Sequence, residues 1–120
     1  MSDIKIIECP RDAMQGIKSF IPTENKIKYI NSLINVGFDI IDFGSFVSHK
    51  HVPQMRDTEE VLKNLKLNNE SSLLSIIVNK KGAEKATSFP QIKYLGYPLS
   101  ISETFQIKNS NKSILESMLL

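Results

Sequence analysis

Four short apolar runs, each followed by a polar or amphipathic stretch, constrain this chain more than any other feature of its sequence. They are residues 4–8 (Ile-Lys-Ile-Ile-Glu), 38–43 (Phe-Asp-Ile-Ile-Asp-Phe), 73–78 (Leu-Leu-Ser-Ile-Ile-Val) and 94–97 (Tyr-Leu-Gly-Tyr). Runs of this length, rich in β-branched and aromatic residues and bounded by Gly and Pro, read as β-strands. After the first, Pro10, Gly16 and Pro22 punctuate a stretch that reads as a long loop over 9–22. Thr23 then reads as an N-cap with Glu24 in the first turn, and Ile27, Ile30, Leu33 and Ile34 fall on one helical stripe that Gly37 ends. A second long loop over 44–56 leads to a helix capped by Asp57 or Thr58 and running to about Leu65. A short helix over 82–88 stops at Pro90, and Ser113-Ile-Leu-Glu116 has the pattern of a capping box that opens a last helix. Near-continuous apolar strands alternating with helices predict an α/β fold: a parallel sheet built from about four β/α units.

With 120 residues there is room for one domain. Fifteen basic residues are interleaved with thirteen acidic ones, and no basic block offers a nucleic-acid footprint. A single cysteine excludes an internal disulfide framework and suits a reducing compartment. The start Met-Ser-Asp-Ile-Lys lacks the features of a secretory signal, and no apolar run approaches the ~20 residues that span a bilayer. The expectation is a cytoplasmic chain without membrane or nucleic-acid partners. The end, Met118-Leu119-Leu120, reads as an interruption about two turns into the last helix, because no C-cap follows the apolar residues.

Functional groups of parallel α/β sheets gather at the carboxyl ends of the strands. Here those positions hold Glu8, Arg11, Asp12 and Gln15 after the first strand, Asp42 and Ser45 at the second, Asn79 after the third, and Ser102 and Glu103 after the fourth. Thirteen of the fifteen basic residues are Lys, so the two arginines, Arg11 and Arg56, stand out as sites where a planar bidentate donor is needed. An Arg beside an Asp suits two tasks: the carboxylate can ligate a hard divalent cation, and the guanidinium can donate to a developing oxyanion. The same pair also suits a loop salt bridge.

The stretches Pro10-Arg11-Asp12-Ala13-Met14-Gln15, Ile21-Pro22-Thr23 and Gly44-Ser45-Phe46-Val47-Ser48-His49-Lys50-His51-Val52-Pro53-Gln54-Met55 resemble the N-terminal half of hydroxymethylglutaryl-CoA lyase. That family belongs to the metal-dependent (β/α)8 lyases and Claisen-type synthases. The resemblance implies a partial TIM barrel, about four β/α units of eight, in which residues 1–120 form the N-terminal half. It implies a divalent metal, Mg2+ or Mn2+, ligated by Asp12. It gives Arg11 the enolate-stabilising role and Asp42 the place of an acid near the substrate hydroxyl. It puts Gln15, Ser45 and Glu103 beside an acyl-CoA substrate. The implied reaction is retro-Claisen cleavage of 3-hydroxy-3-methylglutaryl-CoA to acetyl-CoA and acetoacetate. The implied partners are a complementing C-terminal half or further copies of the chain.

Three departures from the family pattern bear on substrate. Ala13 stands where the family has Gly, the segment from Glu8 to Arg11 is one residue short, and Asp42 replaces Glu, which shortens its reach by one methylene. The family's His-x-His and Asn ligands and its mobile-loop cysteine have no counterpart here. His49-Lys50-His51 reads as a solvated loop, Cys9 as a buried structural residue, Arg56 as a surface residue near Glu59 and Glu60, and Phe20, Phe38, Phe43 and Phe89 as core or lining. A related acyl-CoA condensing synthase or carboxyltransferase, and a non-catalytic half barrel that self-associates, remain the alternatives.

Overall fold

The computed structural model describes residues 3–120. Four strands, β1 (Ile7–Glu8), β2 (Ile40–Ser45), β3 (Ser72–Ile76) and β4 (Ile92–Gly96), form one sheet in the order β1-β2-β3-β4, every pair parallel. The helices are α1 (Pro10–Gln15), α2 (Thr23–Val36), α3 (Thr58–Lys63), α4 (Lys80–Thr87), α5 (Glu103–Ser110) and α6 (Ile114–Met118), with a 3-10 turn at Pro53–Met55. The parallel sheet of four β/α units expected from the apolar alternation is the observed architecture.

The core lies on one face of the sheet. Ile41, Phe43 and Leu73 pack against Ile30 and Ile34 of α2 and Val61 and Leu62 of α3, all nearly free of solvent. The helical stripe is therefore used as its spacing implies. Gly37 ends α2 in the left-handed conformation (φ 91°), and its N–H returns to the carbonyls of Leu33 and Ile34. Gly44 is required for a different reason. A Cβ there would stand 2.7 Å from Thr58 Cγ2, so β2 and the start of α3 could not approach as they do.

Several sequence expectations are corrected. Residues 10–15 are helical, because Pro10 occupies the first helical position, where its missing N–H costs nothing. Residues 103–110, whose polar sequence after Pro98 reads as a loop, are also helical. Ser102 caps that helix by accepting from the Phe105 N–H, and the segment lacks the apolar stripe that would have marked it. Thr23 is the first residue of α2 and not its cap; its hydroxyl donates instead to Asp57 Oδ2 at 2.8 Å. Asp57 precedes α3 but makes no cap hydrogen bond, since its carboxylate is taken by Thr23 and Lys26. The first strand pairs over two residues, at the sheet edge. Cys9 is exposed and not buried, because it follows that edge strand and no strand of the described residues lies beyond it. The capping box at Ser113 and Glu116 is present, with both reciprocal hydrogen bonds.

Candidate active site at the carboxyl end of the sheet

Arg11 sits one residue into α1, where the chain turns at the end of β1. Its guanidinium reaches across to β2: Nε donates to both Asp42 oxygens at 3.1 and 3.0 Å, and Nη2 donates to Asp42 Oδ2 at 2.8 Å. Nη1 donates to Gln15 Oε1 at 2.7 Å, one helical turn along α1. This is the planar fork that lysine cannot make. Asp42 lies in the middle of β2 and is 3% exposed, so the pair is shielded from water. Burial raises the Asp42 carboxyl above its ordinary value, outweighing the Arg11 hydrogen bonds and charge that lower it.

Asp12 lies at the solvent edge of this pair. Its side chain is 75% exposed and stands 3.8 Å from Arg11 Nη1. Among the described residues no three His, Cys, Asp or Glu side chains come together as a metal site. The described residues do not complete a divalent-cation site, since hard cations take six or more oxygen ligands and no cluster of three such side chains forms among the described residues.

Ser45 ends β2. It is buried, and its hydroxyl is without a hydrogen-bond partner. Its N–H is held by Thr58 Oγ1 at 3.3 Å, which in turn donates to the Met55 carbonyl at 2.8 Å. Glu103 is not part of this constellation. It lies after β4, at the opposite side of the sheet, and its carboxylate accepts from the Ile114 N–H. Asn79 caps α4 by accepting from the Gly82 N–H at 2.8 Å. His49 and His51 are exposed. Cys9 neighbours the Arg11–Asp42 pair electrostatically, and partial desolvation followed by the Asp42 charge pushes its thiol up, which makes it a weak nucleophile.

A buried polar network beneath the site escaped the sequence. Lys26, 2% exposed on α2, pairs with Asp57 Oδ1 at 2.7 Å, donates to the Gln54 carbonyl, and lies 4.1 Å from the centroid of Phe20. Arg56 covers the same ring at 3.7 Å. Gln54 holds the segment after α1 by three backbone contacts: Nε2 donates to the carbonyls of Ile17 (2.7 Å) and Ser19 (3.0 Å), and Oε1 accepts from the Ile21 N–H (2.8 Å). The only sequence signal for this network was the length of the two loops it joins.

A cleft of about 360 Å³ opens between the loops after β2 and β3, lined by Phe46, Ser48, His49, Asn79, Lys81 and Lys85 among others. Phe46 stacks on Phe89 at its wall, with ring centroids 5.6 Å apart.

Four parallel β/α units, with an Arg–carboxylate pair at the strand ends, form part of a TIM barrel. The chain is related over nearly its whole length to hydroxymethylglutaryl-CoA lyases. It is 39% identical over 117 residues to the mitochondrial enzyme of Mus musculus, covering 95% of this chain and 35% of that one. It is 40% identical over 118 residues to the cytoplasmic 3-hydroxy-3-methylglutaryl-CoA lyase of Danio rerio, covering 96% of this chain and 34% of that one. Its backbone matches the HMG-CoA lyase of Acinetobacter baumannii, solved in complex with coenzyme A and 3-methylmalate. The TM-score is 0.90 at 34% identity, over 96% of this chain and 38% of that one. The enzyme of Pseudomonas aeruginosa matches with a TM-score of 0.87 at 33% identity, over 97% and 39% of the two chains. No protein-family model matches the chain. The chain spans about a third of the length of the curated relatives it matches. Among the described residues, no helix is long and apolar enough to cross a membrane.

Proposed function

We propose that this chain is the N-terminal part of a hydroxymethylglutaryl-CoA lyase-like (β/α)8 enzyme, which cleaves a 3-hydroxy-3-methylglutaryl thioester to acetyl-CoA and acetoacetate. The observation that carries the reading is the Arg11 fork on buried Asp42, set in a chain about 40% identical to such a lyase. In the reaction a base removes the tertiary hydroxyl proton, the carbon–carbon bond breaks to leave the ketone, and the electron pair passes to the acetyl thioester as an enolate that is then protonated. Arg11 has the donors to stabilise that enolate oxygen, and Asp42 and Gln15 fix their direction. Asp42 is also the acid that its family position implies near the substrate hydroxyl, and its raised pKa suits proton exchange nearer neutrality than an ordinary carboxyl. Ser45, with an unsatisfied buried hydroxyl, is a further substrate contact, and Glu103 reaches substrate only where the remaining barrel folds it inward. The resemblance implies Mg2+ or Mn2+ as a Lewis acid for the reacting oxygens, with Asp12 as the one ligand this chain supplies. The cleft with Lys81 and Lys85 suits the phosphates of an acyl-CoA.

The test is complementation. The 120-residue chain, alone and co-expressed with the C-terminal part of a lyase relative, is assayed for acetyl-CoA release from 3-hydroxy-3-methylglutaryl-CoA with Mg2+ or Mn2+. No turnover alone and turnover in the complex are expected. A folded complex that binds the thioester without cleaving it overturns the reading and favours a condensing synthase or carboxyltransferase.

A further inference from the structure

We infer that Gln54 is a positioning residue: through the backbone of Ile17 it fixes helix α1, which carries Arg11, and so aims the guanidinium at the enolate oxygen. The inference rests on the lyase reading for its chemistry and on contacts within this chain for its geometry. Helix α1 has six residues, too few to be stable in isolation. Its buried side chains are Pro10 and Met14. Residues 15–19, which follow, are all exposed, so apolar burial does not fix them. The Gln54 amide does. Its Nε2 donates to the carbonyls of Ile17 at 2.7 Å and Ser19 at 3.0 Å, and its Oε1 accepts from the Ile21 N–H at 2.8 Å. A planar amide suits this task, because two carbonyls and one N–H need two donors and one acceptor in one group.

The path from Gln54 to Arg11 is continuous. Ile17, gripped at its carbonyl, donates its own N–H to the Met14 carbonyl at 3.0 Å. Gln15, the residue after Met14, accepts from Arg11 Nη1 at 2.7 Å. On its other side Gln54 is itself held. It is buried, its carbonyl accepts from Lys26 Nζ, and Lys26 is paired with Asp57. Helix α1 packs against the turn at Pro53–Met55, where Met55 is buried as well. Both supports of Arg11 therefore come from β2 and the loop that follows it. Asp42 on the strand holds the guanidinium, and Gln54 in the loop holds the helix from which the guanidinium springs.

Gln54→Met keeps the length of the side chain and removes all three hydrogen bonds. The chain has two arginines, so its guanidinium NMR spectrum has two Nε–H signals, which Arg11→Lys assigns. In Gln54→Met the Arg11 Nε–H is expected to exchange with water faster, while the amides of β2 and β3 keep their protection. In the complemented enzyme, Gln54→Met is expected to lower kcat ~100-fold at unchanged KM, the cost of misplacing a catalytic group by ~1 Å. In an Arg11→Lys background the same substitution is expected to change kcat little, because the donor it aims is already gone. Gln54→Asn keeps the amide at shorter reach. It is expected to show a smaller version of both effects, and it carries the comparison where Gln54→Met does not fold. Unchanged Arg11 Nε–H exchange in a folded variant, or equal losses of kcat in the two backgrounds, would overturn the inference. Failure of both variants to fold would overturn it too, since Gln54 would then support the whole chain. Absence of turnover in the wild-type complemented enzyme strikes the lyase reading instead, and the exchange measurement still judges whether Gln54 positions Arg11.

Discussion

Around β1, α1, α2 and β2 the polar side chains are inside: Lys26, Asp42, Gln54 and Asp57 are all buried, each with named partners. Around β4, α5 and α6 the apolar side chains are outside: Ile101, Phe105, Leu115, Met118 and Leu119 are each more than half exposed. The last two helices are clasped by polar groups. Gln106 donates to Ser117 Oγ at 2.7 Å and accepts from the Ser100 N–H at 2.9 Å, and the Tyr97 hydroxyl donates to the Ser117 carbonyl at 2.9 Å. The first region spends its burial on positioning charges. The last holds its shape through polar contacts and leaves its apolar side chains exposed.

The comparison breaks most sharply at Lys26. Lys26→Met strands the Asp57 carboxylate inside the protein, and removal of one partner of a buried pair costs ~3–5 kcal/mol. Thermal or denaturant unfolding should show that loss, and Lys26→Met/Asp57→Leu should recover much of it. Ile107→Ala in the last region should change stability by less than ~0.5 kcal/mol, as exposed substitutions do. Equal losses in both regions would show that the contrast is only one of appearance.

In a complemented enzyme, Arg11→Lys keeps the charge and loses the fork, so turnover should fall ~100–1000-fold with folding intact. Asp12→Asn should instead weaken metal affinity, and extra Mg2+ or Mn2+ should partly restore turnover. Turnover measured against metal concentration separates them, and identical responses would remove the assigned roles.

A smaller effect is expected at Ser113→Ala, which removes half of the capping box. Loss of ~1 kcal/mol is usual for such a cap, and denaturant melts of α6-reporting probes would read it. The pH dependence separates the regions again. Because burial raises Asp42, its folded form holds a proton more tightly than the unfolded chain does. The stability it contributes is present below its ordinary value of 3.8 and is lost as pH rises through the raised folded value. The stability of wild type relative to Asp42→Asn should therefore fall across that interval. A rise would mean that the Arg11 pairing outweighs burial.

The sequence displayed this architecture where one residue acts locally. Gly37 announces a left-handed turn, Ser113 with Glu116 announces a helix start, and four apolar runs announce four strands. The Pro-Arg-Asp motif also pointed to Arg11, but the side chain Arg11 grips is 31 positions away. Lys26 sits on a helix like any solvated lysine until Asp57, equally distant, explains its burial. Thr23 lost its cap role to the same carboxylate. Helices α1 and α5 were hidden because one begins at a proline and the other carries no apolar stripe. What stayed illegible was the side-chain pairing between loops, which no local pattern encodes.

Gln54 has a kinetic consequence. Its amide meets Ile17, Ser19 and Ile21 at 33 to 37 residues' separation, so the segment after α1 has no template until the turn at Pro53–Met55 has formed. Closing so long a loop is slow compared with forming α2 itself. The stretch between Arg11 and the first long helix is thus ordered late, although it is made early by the ribosome.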